Sequence, residues 1–325
     1  MSDILFAINA TAPIVLTVLV GYFLKRVGLI DPTLAKAMNK LVFRVFLPAM
    51  LFLNMYKIES FADIDFTYVW YTLISTVILF LIAIPVVMAI TKENPKRGAL
   101  LQSVFRANYA LVGIPLATSL FGEAGGIMAT VLSAFIIPVF NTLAVVGLCI
   151  FSSDKKPSVK KVLVGIAKNP LIQSIALGFV VLGIRAIFVK LNIEFRLADV
   201  TPIYKTLSNL SAVATPLSLV VLGAQFELSA IPELKKYISF GVLARNLVVP
   251  FIGIGTAYLF GCFSGSHFAT FVAVFCTPVA VSSVPMAQEM DADVSLAGQL
   301  VVWSTVFSAA SIFLASYVLK ALGVF

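Results

Sequence analysis

Segments of roughly 20 apolar residues recur along the whole chain, separated by short polar connectors. That is the length a helix needs to cross the ~30 Å hydrocarbon core of a bilayer. The pattern predicts ten spans, at about 5–24, 33–55, 68–90, 97–121, 125–151, 162–189, 202–226, 236–260, 266–288 and 294–322. Between them no polar stretch is long enough to fold as a separate soluble domain. The one clearly hydrophilic connector, Ser152–Lys161, divides the spans five and five. Five is odd, so the two halves must insert with opposite orientation. The predicted fold is therefore an all-α integral membrane protein with ten transmembrane helices in two inverted five-helix repeats, residues 1–151 and 162–325, joined by a cytoplasmic linker at 152–161.

Prolines mark the repeat. Pro13, Pro48, Pro85 and Pro115 in the first half are answered by Pro170, Pro216, Pro250 and Pro285, at offsets of 157, 168, 165 and 170 residues. Ala12-Pro13-Ile14 through Gly21 runs beside Asn169-Pro170-Leu171 through Gly178, and Ile114-Pro115-Leu116-Ala117 beside Val284-Pro285-Met286-Ala287. Proline removes a donor and clashes with the preceding turn. Inside a membrane the freed groups need neighbouring helices, water or a solute. Paired breaks in corresponding positions of two halves point to a transporter's substrate site.

Composition agrees with the spans. The chain is 60% hydrophobic and 12% charged, with a mean hydropathy of +1.05, against about 45–50% and about 25% in soluble domains. The net charge of +8 comes from scattered loop cations and reads as topology, not nucleic-acid binding. Lys25/Arg26, Lys92/Lys96/Arg97, Lys155/Lys156/Lys160/Lys161 and Lys235/Lys236 follow spans 1, 3, 5 and 7, while Glu59/Asp63/Asp65 and Glu123 follow spans 2 and 4. The positive-inside rule then places both termini outside a plasma (inner) membrane, although Arg185, Lys190 and Arg196 after span 6 dissent. The N-terminus lacks the basic stretch of a cleaved signal peptide, so Leu5–Leu24 reads as a retained helix. Cys149, Cys262 and Cys276 show no metal or disulfide spacing and read as inert thiols. No cofactor is implied, and the lone His267, at a loop edge, offers no catalytic pair; the chain is not expected to be an enzyme.

Every acid lies at a segment end or in a loop, so no midplane carboxylate is available for a simple proton relay. The spans instead hold Arg106, Asn108, Asn141, Arg245, Asn246 and Gln299, and intramembrane ionisable groups are functional candidates by default. Arg106 lies about 13 Å from Arg97 along a helix; it either faces an anion or is satisfied by helix C-terminal carbonyls. Arg245 reads as structural. Lys36, Lys40 and Arg44 share one face of span 2, either snorkelling to headgroups or forming a cationic vestibule. In span 4, Gly113 with Pro115 predicts an unwound crossover whose following half-helix would offer a positive N-terminus to a carboxylate. In span 9, Pro278 and Pro285 bracket Ser282 and Ser283, and either proline could mark the second break.

The stretch Asn-Tyr-Ala-Leu-Val-Gly-Ile-Pro-Leu-Ala from Asn108, ending in Leu120-Phe121-Gly122, resembles the fourth-helix motif of the auxin efflux carrier family, which includes plant carriers and bacterial organic-acid permeases. Lys168-Asn169-Pro170-Leu171-Ile172, Leu47-Pro48-Ala49, Asn141 after Pro138, and Ala287-Gln288-Glu289 followed by Ser304 and Ser308 are similar to its other marks. The resemblance covers essentially the whole chain, and the short linker is similar to bacterial members. It implies a bile acid/sodium symporter-like fold, with a scaffold of helices 1, 2, 6 and 7 and a transport domain of helices 3–5 and 8–10. Broken crossover helices 4 and 9 would hold an organic anion and move elevator-fashion. Carried over by residue, the substrate site comprises Arg106, Asn108, Gly113, Ile114, Pro115, Asn141, Pro278, Ser282, Ser283 and Pro285. Arg106 just before Asn108, and two prolines seven residues apart in span 9, depart from common members. The expected function is a secondary transporter of small carboxylates, malate- or malonate-like or auxin-like, with the lipid bilayer as its surroundings and a homodimer through the scaffold helices as a family-implied assembly. An anion channel or a non-transporting receptor is the alternative.

Overall fold

The computed structural model describes residues 13, 16–56, 66–152, 164, 167–263 and 265–324. Most described residues lie in helices, with no strand among them. In chain order the helices are α1 (16–26), α2 (Pro32–Tyr56), α3 (Phe66–Ile90), α4 (Asn94–Phe105), α5 (Tyr109–Gly122), α6 (Ala124–Ile150), α7 (Pro170–Lys190), α8 (Thr201–Gln225), α9 (Leu228–Phe260), α10 (Gly265–Phe275), α11 (Ser283–Glu289) and α12 (Val294–Ala321). Six of them, α3, α6, α7, α8, α9 and α12, are long and apolar enough to cross a membrane. All but one residue of the 152–161 connector, and the acidic loop after span 2, lie outside the described residues.

Helix starts follow local chemistry. Asp31 caps α2 by accepting from Leu34 N at 2.6 Å, with Pro32 in the first turn. Asn169 does the same for α7, accepting from Leu171 N at 2.9 Å ahead of Pro170. Proline costs nothing at such positions because its missing N–H has no helical partner there. Asp293 caps α12 through Leu296 N at 2.8 Å, and its own N–H bonds Pro95 O at 3.0 Å, tying the starts of α12 and α4 together. Between α5 and α6 the chain reverses at Gly122, whose φ of 62° and ψ of −151° lie in a region essentially restricted to glycine.

Burial sorts the helices. Gly98–Phe105 of α4 and Phe268–Phe275 of α10 are buried on all sides, so these two are core helices. α3, α7 and α9 turn long apolar faces outward: Trp70, Ile74, Leu177, Val189, Phe251 and Leu259 are all more than half exposed. An apolar surface that long and continuous fits contact with lipid, not water. With six such spans the chain is a multi-pass membrane protein.

Packing falls into two groups. α2 lies against α7 and α8, and α1 crosses α8. α10 lies against the stretch 114–150 of α5 and α6, α4 against α12 and α3, and α9 against α12. The α1/α8 crossing is close enough to need glycine on both sides: a Cβ on Gly21 would sit 2.1 Å from Val220 O, and one on Gly223 1.9 Å from Val18 O. A Cβ on Gly178 of α7 would sit 2.5 Å from Met55 Cβ of α2.

A Gly223→Ala substitution is expected to destabilise by about 1–3 kcal/mol, the range for overpacking, because the obstacle is backbone and cannot rotate away. Gly255→Ala on α9, where nothing lies within 4 Å, should be neutral or gain up to about 1 kcal/mol of helix propensity. Thermal midpoints of the two purified variants in detergent check this, and equal midpoints would contradict the crossing.

Candidate functional site

The fourth and ninth apolar segments are each broken in mid-course. α4 ends at Phe105, and Arg106 takes an extended conformation (φ −95°, ψ 112°) before α5 begins at Tyr109. α10 ends at Phe275 and α11 begins at Ser283. The two breaks meet. Ala107 and Val279 form an isolated antiparallel pair, Asn108 N donates to Pro278 O at 2.7 Å, and Val279 N donates to Ser304 Oγ at 3.0 Å.

The first break lies earlier than the spacing predicted. Gly113, Ile114 and Pro115 were expected at the unwound point, yet they lie on continuous helix. A wide π-helical turn, Tyr109–Gly113, closed by Ile114 N bonding Tyr109 O, immediately precedes Pro115 and accommodates the proline without unwinding, as such turns do at helix irregularities. Gly113 instead permits close approach, since a Cβ there would lie 2.9 Å from Ala273 O of α10. In the ninth segment the break contains Pro278, whose preceding residue is biased away from helix, while Pro285 lies inside α11.

Arg106 is the centre of the site. The residue is 1% exposed. Nη1 donates to Gln102 Oε1 at 2.7 Å, Met286 Sδ at 2.9 Å and Ser283 Oγ at 3.3 Å, and Nη2 donates to Asn141 Oδ1 at 2.7 Å and Ser282 Oγ at 2.8 Å. These acceptors are all neutral side chains, and Arg106 has no carboxylate partner among the described residues. The helix-carbonyl arrangement entertained for Arg106 belongs to Arg245, which bonds Thr277 O, Val274 O and Val104 O.

Beside Arg106 lies a cavity of about 80 Å³, several times the ~10–15 Å³ that one water requires. One wall is the two breaks and α6: Arg106–Leu111, Asn141 and Ala280–Ser282. The other is Leu47, Met50 and Leu51 of α2, Leu171 of α7, and Thr215 and Ser218 of α8. Asn108 Nδ2 is buried with no partner, so the wall holds an unused donor at the N-terminus of α5. Of the residues expected at the site, Arg106, Asn108, Asn141 and Ser282 line the cavity and Ser283 joins them through Arg106; Gly113, Ile114, Pro115, Pro278 and Pro285 support the surrounding backbone. Gln102 and Met286 were not anticipated, although Gln102 lies four residues before Arg106, the spacing at which helix side chains meet. Gln299 and Asn246 hold backbone instead, donating to Glu227 O at 2.8 Å and Ser304 O at 2.9 Å.

The described residues thus form a multi-pass bundle with two mutually paired helix breaks and a cavity between helix groups that Arg106 lines. The chain matches, over residues 6–316, the family model described as membrane transport protein. It belongs to that auxin efflux carrier-like membrane transport family. Among curated relatives it is 23% identical to an uncharacterized transporter of Methanothermobacter thermautotrophicus, covering 94% of this chain and 96% of the relative. It is 28% identical to an uncharacterized transporter of Methanocaldococcus jannaschii, covering 73% and 74%. Family and relatives point to transport rather than enzymatic activity.

Substituting Arg106 by Met is expected to cost about 1–3 kcal/mol, the range for leaving buried acceptors unsatisfied, because Gln102, Asn141 and Ser282 lose their donor together. Asn108→Ala should cost less than about 1 kcal/mol, since Nδ2 has no bond to lose and removing an unsatisfied donor is close to neutral. Melting in detergent of the two purified variants measures both. A large loss in Asn108→Ala would mean its side chain holds the fold instead of facing a solute.

Proposed function

We propose that this protein is a secondary carrier for small organic anions, carboxylates by preference, which bind in the cavity beside Arg106. The observation that carries the reading is a buried guanidinium with no counter-charge among the described residues, adjoining a cavity that also holds an unpartnered amide donor. An uncompensated buried charge is costly; a bound carboxylate supplies the missing charge and an acceptor for Asn108 Nδ2. The N-terminus of α5 favours the same sign of charge.

The architecture that goes with this function has ten spans, with α4/α5 as the fourth and α10/α11 as the ninth, in inverted repeats 1–151 and 162–325. Several packing relations support it. Gly21 and Gly178, matched in sequence, both lie at close crossings, the first span on the seventh and the sixth on the second. α4, the first half of one broken span, packs on α12, the last span of the other half, and α10, the first half of the other, packs on the stretch 114–150 that contains α6. In this reading α1, α2, α7 and α8 form the scaffold, and α3–α6 with α9–α12 form the domain that carries the anion in elevator fashion. Basic loops would face the cytoplasm of the cell membrane and both termini the outside.

Purified protein in liposomes should show saturable uptake of at least one member of a mono- and dicarboxylate panel, reduced at least about tenfold in Asn108→Ala while that variant remains folded. Full uptake in the variant would remove Asn108 from the site. Unsaturable ohmic current would replace the carrier with a channel.

A further inference from the structure

The first half of a broken helix ends in carbonyl oxygens with no amide to serve them. α4 and α10 end at the same junction, where Ala107 pairs with Val279. Into that junction α9 projects Arg245, whose side chain is fully buried. Nε donates to Thr277 O at 2.7 Å, Nη2 to Val274 O at 2.6 Å, and Nη1 reaches Val104 O at 3.4 Å. Every partner is a backbone carbonyl at or just past the end of α4 or α10, and no carboxylate pairs with Arg245 among the described residues. A helix C-terminus carries about half a negative charge, so two of them together balance about one guanidinium. Arg106 differs, since its partners are side chains and its charge has no such balance.

Half-helix C-termini and unwound carbonyls are also what an alkali cation needs as ligands within a membrane. From this geometry we infer that Arg245 is a tethered cation standing in a carbonyl site where a free monovalent cation would otherwise be required, and that the site accepts such a cation once the side chain is removed. The consequence for transport rests on the carrier reading: anion movement needs no alkali co-ion at this junction.

The test uses the full-length purified protein without any substrate. Thermal midpoints are compared in choline, sodium, potassium and low-concentration guanidinium chlorides at equal ionic strength. The wild type should vary by no more than about 1 °C across the four salts. Arg245→Met should melt lower in choline and recover by about 3 °C or more in at least one of the other salts, as a ligand specific to the folded state raises the midpoint. Arg245→Lys, which keeps the charge, should stay near the wild type and remain indifferent to the salt. Selective stabilisation of the wild type by sodium would overturn the inference, as would a Met variant that no cation restores. A Lys variant as damaged as the Met variant would do the same, by assigning the role to the shape of the guanidinium and not its charge. Should the Met variant fail to insert, the wild-type and Lys comparisons still decide. Because no carboxylate is present and chloride is common to all four salts, failure here leaves the anion reading standing, and failure of carboxylate uptake leaves this inference standing.

Discussion

Backbone groups freed inside an apolar bundle have no water to turn to, and each one left unsatisfied costs several kcal/mol. Two helix breaks in this protein release such groups, and the structure is organised around satisfying them. The breaks serve one another through Asn108 N and Pro278 O, Ser304 takes the amide of Val279, and Arg245 takes carbonyls from both sides. Because each break is completed by the other, α4, α5, α10 and α11 must converge on one point. That convergence places the start of α5 and the Arg106 guanidinium side by side at a cavity wall. Neither half of the chain could build this arrangement alone.

Two buried guanidinium groups lie within this small region, and their surroundings separate their roles. Arg245 is enclosed by carbonyl oxygens whose helix ends oppose its charge, so it closes the junction electrically as well as sterically. Arg106 is enclosed by amide, hydroxyl and thioether acceptors that hydrogen-bond its protons without neutralising it. Its neutral acceptors orient the guanidinium without opposing its charge. Asn141 and Ser282 are engaged with Arg106, while Asn108 Nδ2 on the same cavity wall is left without a partner.

The elements were legible in the sequence because the signals that make them are local. Span-length apolar runs set the helices, and Asp31-Pro32 and Asn169-Pro170 announced two starts through cap and first-turn chemistry. Two broken spans were foreseen from their prolines, and Arg106, Asn108, Asn141 and Ser282 were picked out as polar groups in apolar segments. The position of the first break was not, since proline advertises a missing donor whether the helix unwinds or merely widens. At Pro115 a π-helical turn absorbed the defect, and the opening fell instead at Arg106–Asn108, where the pairing partner Pro278–Val279 comes from 170 residues away. The opposite wall of the cavity was invisible for a similar reason: Met50, Thr215 and Ser218 are ordinary helix residues until the fold sets them there.

Contacts across the cavity differ in kind from those on either side of it. Within the group containing the breaks, the polar bonds are numerous and mostly buried, to backbone around Arg245 and to side chains around Arg106. Between α11 and the α2/α8 pair, polar contact comes down to Asn39 Nδ2 to Pro285 O at 3.5 Å, Gln225 Nε2 to Gln288 Oε1 at 2.8 Å, and an Arg44–Glu289 pair at 3.7 Å whose arginine is 60% exposed. The ion pair is of the kind that contributes about 0–1 kcal/mol. Asn39 Oδ1 and Gln225 Oε1 are left buried without partners, so this boundary already carries unsatisfied polar atoms in the state described. Separating α11 from α2 and α8 therefore breaks few polar bonds, whereas separating the two breaks forfeits the satisfaction of both. The proposed elevator movement would divide the bundle at this seam, keeping the breaks and Arg106 together while the wall of α2, α7 and α8 residues leaves the cavity.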